Sequence, residues 1–390
     1  MKRREFLGTS LYALALTAAS SSFGRLYAAP LDSPRLLVVF LRGGYDCLNM
    51  LVPYASSDYY EMRPNIAIAR PPASLQLDAD WALAPSLLPT LAPMYASRQI
   101  AFIPFAGTED VSRSHFETQD SIELGQPMGQ RDLRSGFLAR LASVIGGQKA
   151  IAFTDSLPVC FRGDADVPNI SLKAVNKPVF DERQADVLAA MYQNHPLRDQ
   201  VREGLELRQQ VSAAMAEEMQ QANRDAITPK GFELEAQRVG RLLRTDYAIG
   251  FVDVGGWDTH VNESATLSAN LDSLGRGLQA LSRELGPLWS STAVVVISEF
   301  GRTFRENGNR GTDHGHGSVY WIAGGAVSGG RIVGEQQKIE RASLFQDRDL
   351  PVLNDYRSVL GGLVRRMWGL SDSQLERIFP AAAPTDLGLV

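Results

Sequence analysis

Apolar residues fall along this chain in two kinds of run. The first kind is short, unbroken and rich in β-branched residues: Leu36–Leu41, Ile100–Phe105, Ala150–Phe153, Ala248–Val254, Ala293–Ile297 and Ser318–Ala323. Polar positions do not alternate with the apolar ones in Leu36–Leu41 and Ala293–Ile297, so these two runs predict strands covered on both faces, as in a parallel sheet, and the others predict further strands. The second kind recurs at three- and four-residue spacing and predicts helices. These run from about Ser112 to Leu124, over Phe137–Ile145, from Thr228 to about Arg244, over Ser264–Leu285 and over Tyr356–Trp368. Leu83–Ala96 has the same spacing interrupted by prolines, which predicts a broken helix. Leu197, Val201, Leu205, Met215 and Met219 mark a charged amphipathic stretch over about 183–225. With the helix after Thr228 it predicts a helical layer or cap at about 180–245. Strands alternating with helices predict a doubly wound α/β sandwich: a mostly parallel sheet between helices, with that layer inserted, forming a single domain over residues 30–390.

Polar, glycine-rich segments follow these strands. Arg42-Gly43-Gly44-Tyr45-Asp46-Cys47-Leu48-Asn49 follows the first, and Ser112-Arg113-Ser114-His115-Phe116-Glu117 comes after the second. The fourth contributes Asp253 and leads into Gly255-Gly256-Trp257-Asp258-Thr259-His260. The fifth leads through Ser298-Glu299-Phe300-Gly301-Arg302 to Gly311-Thr312-Asp313-His314-Gly315-His316-Gly317, which holds two of the five histidines. In a parallel sheet the carboxyl ends of the strands share one edge, so these clusters are expected to converge there. Carboxylates and imidazoles together suit Zn, Mn or Fe. Asp46, Asp253, Asp258, His260, Glu299, Asp313, His314 and His316 are enough ligands for two divalent ions. Arg113 and Arg302 are then expected to neutralise a small anionic ester, with His115 beside them and a serine or water attacking in line. Ser112 or Ser114 would stand at a helix amino terminus, whose unpaired amides favour an anion; a plain N-cap is the other reading. His195, ahead of Pro196, is expected in a solvated loop.

Composition narrows the choice. The 390 residues are 44% hydrophobic and 21% charged, which suits an ordinary globular core. A net charge of -5 with no cationic stripe argues against a nucleic-acid partner. The two cysteines, Cys47 and Cys160, are far apart in sequence and are expected as unpaired buried thiols. The first residues read as an address. Lys2-Arg3-Arg4-Glu5-Phe6-Leu7 places adjacent arginines before a bulky apolar pair, like a twin-arginine export signal. Leu11–Ala19 is apolar but far below the roughly 20 residues of a membrane span. Ala28 or Ala29 offers a cleavage point. Residues 1–29 are therefore predicted as a signal peptide read by the twin-arginine export machinery. The mature protein is expected to be periplasmic or otherwise exported, with no stable membrane span.

In order, these motifs resemble an uncharacterised twin-arginine-exported family of the alkaline phosphatase and sulfatase superfamily. They are the leader, Arg-Gly-Gly-x-Asp-x-Leu-Asn, Ser-Arg-Ser-His-Phe-Glu, Gly-Gly-Trp-Asp-Thr-His, Ser-Glu-Phe-Gly-Arg-Thr and Asp-His-Gly, and they cover nearly the whole mature chain. The resemblance implies an alkaline phosphatase-like fold and a two-metal hydrolase of phosphate or sulfate esters. It implies a metal-bridging role for Asp46, and a nucleophile at Ser114 or Ser112. It also implies one metal on Asp253 or Asp258 with His260, and on His314 or His316. The chain departs from that pattern in two ways. Glu299 is followed by Phe300 where the superfamily has an Asp-His pair, and no Cys-x-Pro-Ser-Arg is present for a sulfatase nucleophile. Two alternatives follow: a non-catalytic protein of the same fold that binds a ligand or partner, and a metal-free serine hydrolase. The latter ranks last because the chain lacks a Gly-x-Ser-x-Gly elbow.

Overall fold

Six apolar strands build the centre of the computed structural model, which describes residues 33–146, 148–164, 166–172, 182–206 and 231–390. They are β1 (Arg35–Leu41), β2 (Ile100–Gly107), β3 (Lys149–Phe153), β4 (Tyr247–Val254), β5 (Thr292–Ser298) and β6 (Ser318–Ala323). Two-residue strands, β7 (Arg331–Ile332) and β8 (Asn354–Asp355), add to β2. The order is β7-β2-β6-β5-β1-β4-β3. β1 lies parallel to β4 and β5, β3 parallel to β4, and β7 and β8 parallel to β2. Among the described residues of the sheet only β6 runs the other way, antiparallel to both β2 and β5.

The apolar runs have no polar alternation because helices cover both faces. Leu36, Val38 and Phe40 of β1 enter one core, with residues of α1 (His115–Leu124), α2 (Phe137–Ile145), α6 (Tyr356–Trp368) and α7 (Asp372–Ile378). Leu37, Val39 and Leu41 enter the other, with α4 (Phe232–Leu243) and α5 (Glu263–Leu285). This is the doubly wound sandwich that the periodicity predicts. Of the predicted helical layer, α3 (Glu182–Met191), a helical run over 198–206 and α4 are described, and His195 is an exposed turn residue between the first two. The predicted signal peptide and residues 207–230 lie outside the described residues.

Two local readings change. Leu83–Ala96 is not one helix: Ala82–Leu83 pairs in a small antiparallel sheet with Leu51–Val52 and Leu75–Gln76. A 3-10 turn at Pro85–Leu87 and a short helix at Leu91–Ala96 follow, as prolines at both places dictate. The helix expected from Ser112 begins at His115. Both cysteines are free and buried. No described helix is long and apolar enough to cross a membrane.

Trp321 of β6 locks one core. It is fully buried, donates from Nε1 to the Tyr45 hydroxyl at 2.9 Å, and packs edge-on against Tyr45 and Phe102. Trp321→Ala is expected to destabilise the fold by about 3–5 kcal/mol. Urea unfolding checks this: the midpoint falls while the dependence on denaturant keeps its slope.

Candidate metal centre

Glycines let the rim loops pack backbone to backbone. At Gly43, with φ +127°, an added Cβ would lie 2.6 Å from the Asp258 amide nitrogen, so the loops after β1 and β4 touch there. A Cβ on Gly301 would lie 1.9 Å from the Gly317 carbonyl oxygen. Gly301 N–H donates to His316 O and Gly315 N–H to Gly301 O, each at 2.9 Å, and Arg302 bridges His314. The segment after β5 and the segment before β6 are thereby zipped together. Because β6 is antiparallel, its entry lies at the same edge as the exits of β1, β2, β4 and β5.

At that edge His115, Asp258 and His314 bring ligand atoms within 4.8 Å of one another. Asp258 is the hub. Its Oδ1 lies 2.8 Å from His260 Nε2 and 3.2 Å from His314 Nε2, and its Oδ2 lies 3.4 Å from His115 Nε2. His260 Nε2 and His314 Nε2 are 3.2 Å apart. The other nitrogen of each ring meets an oxygen. His115 Nδ1 faces Glu299 Oε1 at 2.8 Å, His260 Nδ1 faces Asp313 Oδ1 at 3.2 Å, and His314 Nδ1 faces the Arg113 carbonyl at 3.0 Å. The Arg113 carbonyl can only accept, which assigns a neutral His314 ring its proton on Nδ1 and leaves its Nε2 bare. His115 and His260 face a carboxylate oxygen from both ring nitrogens. His115 Nε2 is buried without a hydrogen-bond donor or acceptor to complete it.

Glu299 is fully buried. Its Oε1 accepts from Gly43 N, Gln119 Nε2 and His115, each at 2.8 Å, and its Oε2 from Ser298 Oγ at 2.9 Å. Burial pushes its pKa up, but the bonds from His115 and Gln119 outweigh that and hold it below the usual carboxylate range. The same contact raises His115, against its burial. His314 is lowered, chiefly by burial. In Asp258 burial is outweighed by the charges of Arg302 and His260, and its carboxyl is held low.

The remaining predicted residues take other places. Asp46 is fully buried and gives both oxygens to Arg63, at 2.6 and 3.0 Å, so it lies outside the cluster. Asp253 accepts from Arg42 Nε at 2.9 Å. His316 is buried against Phe345, and burial pulls it down to about 4. Asp313 is exposed and touches the cluster only through His260 and Asn307. Arg302 is buried and donates to Asp258 Oδ1 at 2.7 Å. Arg113 turns its guanidinium to Asp349 and Gln346, away from the rings. Ser112 Oγ meets Thr118 and the Ser114 amide, whereas the Ser114 side chain makes no capping bond. Arg63, Glu263 and Asp349 escape a reading of the sequence because each meets its partners only through the fold.

A family described as protein of unknown function (DUF1501) matches residues 33–379 of the chain. No curated protein matches it in sequence. Solved structures resemble it remotely. One is a protein in the alkaline phosphatase superfamily from Vibrio parahaemolyticus, 12% identical, with a TM-score of 0.36 over 80% of this chain and 68% of that one. Another is the lipoteichoic acid synthase LtaP from Listeria monocytogenes, 9% identical, with a TM-score of 0.38 over 91% and 76%. A third is the soluble domain of lipooligosaccharide phosphoethanolamine transferase A from Neisseria meningitidis, 12% identical, with a TM-score of 0.33 over 77% and 79%.

Glu263, beside Asp46, carries a pH dependence. Glu263 hydrogen-bonds Asp46 and takes the hydroxyls of Thr312 at 2.7 Å and Thr259 at 3.2 Å. Burial, and then the neighbouring Asp46, push its carboxyl up to about 9. A carboxyl raised in the fold binds its proton more tightly there than in the unfolded chain. Its stabilisation is therefore complete below about pH 4.5 and is lost as the pH climbs towards 9. The urea midpoint is expected to fall between about pH 5 and about pH 9 in the wild type, and to fall less in Glu263→Gln.

Proposed function

The chain belongs to the DUF1501 family, and we propose that it is an exported, metal-dependent hydrolase of phosphate or sulfate esters. Its centre would be one divalent ion, Zn or Mn, on His115, Asp258 and His314, with His260 beside them. One observation carries this reading: three imidazoles turn their Nε2 atoms towards one carboxylate, and the His115 nitrogen there is buried without a hydrogen bond. A divalent ion among them would satisfy these nitrogens and the carboxylate at once. Rings whose Nδ1–H groups are spent on carboxylates or carbonyls are how proteins present imidazole to metals. The set, imidazole nitrogen with a single carboxylate, suits Zn better than Ca or Mg.

When bound, the ion supplies Lewis acidity and positive charge to an ester oxygen. The chain supplies the rest. Glu299 and the Arg113 carbonyl fix two rings, and Arg302 holds Asp258. The Asp258 side chain is 44% exposed, which leaves the rim open to a substrate. Of the two serines, Ser114 is the better nucleophile, since its hydroxyl is not spent on its helix. A second ion is not needed: both Glu299 oxygens already accept from donors, and Asp46 belongs to Arg63. Binding without turnover remains the rival, because Arg42, Arg113 and Arg302 are each committed to a carboxylate.

The purified protein is expected to hold about one Zn or Mn ion per chain and to cleave chromogenic phosphate or sulfate esters. His115→Ala, Asp258→Asn and His314→Ala should each lose the ion and the activity, whereas Asp46→Asn should keep the ion. Metal without hydrolysis across the panel selects the rival, and absence of metal from the wild type sinks both readings of the site.

A further inference from the structure

Asp349 lies outside the cluster, fully buried, and touches none of the three rings directly. Its Oδ2 accepts from Arg113 Nε at 2.9 Å, lies 2.7 Å from Arg113 Nη2, and accepts from Arg348 Nη1 at 3.2 Å. The two arginines then reach His314 at two different atoms. The Arg113 carbonyl takes the ring Nδ1–H at 3.0 Å, and Arg348 Nη2 donates to the His314 backbone carbonyl at 2.8 Å. Arg113 has φ +56°, a left-handed backbone that a residue with a Cβ keeps only when something holds it. The ion pair with Asp349, together with the bond from Arg113 Nη2 to Gln346 Oε1 at 2.7 Å, is that hold. Asp349 is itself fixed to the rim, because its backbone bridges Thr303, the neighbour of Arg302.

We infer that Asp349 is a positioning residue for His314: through Arg113 and Arg348 it sets the orientation and the Nδ1–H tautomer of the ring, so that bare Nε2 faces Asp258. The inference rests on the metal reading above, since its use is to aim a ligand. The carboxylate acts at two removes. Its loss frees the Arg113 side chain, the left-handed turn relaxes, and the carbonyl leaves the His314 ring. The ring can then put its proton on Nε2, where it blocks ligation.

The full-length protein carrying Asp349→Asn tests this with two readouts. Zinc affinity, measured by competition with a chelating dye, is expected to fall about 10- to 100-fold. In the metal-free protein, nitrogen-15 correlation spectra of the imidazoles are expected to show His314 shifting from the Nδ1–H tautomer to a mixture, with the His115 tautomer unchanged. A merely structural ion pair would change neither quantity. Zinc affinity within about two-fold of wild type, with the His314 tautomer retained, overturns the inference. Should Asp349→Asn fail to fold, Arg348→Gln at a partly exposed position removes one arm of the clamp; a weaker zinc affinity supports the inference, and wild-type affinity overturns it. If the wild type binds neither zinc nor manganese, the hydrolase reading fails, and the tautomer comparison still decides the role of Asp349.

Discussion

The direction of one strand governs this molecule. Parallel strands deliver their exits to a single edge, and β6 is inserted between β2 and β5 in the opposite sense. A parallel β6 would put the segment that enters it at the far edge of the sheet. Reversed, it brings His314 to the exits of β2 and β4, where His115 and Asp258 stand. The close approach of Gly301 to Gly317 holds that arrangement, since any side chain at Gly301 would collide with backbone.

With the groups gathered, electrostatics shapes what they can do. The rim is rich in both signs, but its charges are mostly spent on each other. Arg63 neutralises Asp46, Arg42 serves Asp253 and Glu123, Arg302 serves Asp258, and Asp349 gathers Arg113 and Arg348. Buried ions left single would be costly, and these pairings avoid that. What is left is a set of imidazole nitrogens gathered round one carboxylate that shares a single guanidinium with them.

The sequence makes the strands legible because burial on both faces removes polar alternation, and β1 and β5 show the pattern most fully. It also makes the rim motifs legible, since glycine beside Asp and His is conspicuous. His115, Asp258, His260 and His314 all fall within those motifs. Strand direction is not legible, because an apolar run reads the same either way. Nor are pairings across the chain: nothing around Asp46 announces Arg63, and nothing around Arg113 announces Asp349, 236 residues on. Two-residue strands such as β7 and β8 are too short to leave a periodicity.

The thiols have a consequence of their own. Cys47 and Cys160 are both buried, and burial pushes the Cys47 thiol up to about 12 and the Cys160 thiol well above its ordinary value. Thiolate is the form that reacts with oxidants and disulfides, so both sulfurs are inert in the folded state. The fold therefore keeps one covalent form in reducing and in oxidising surroundings alike.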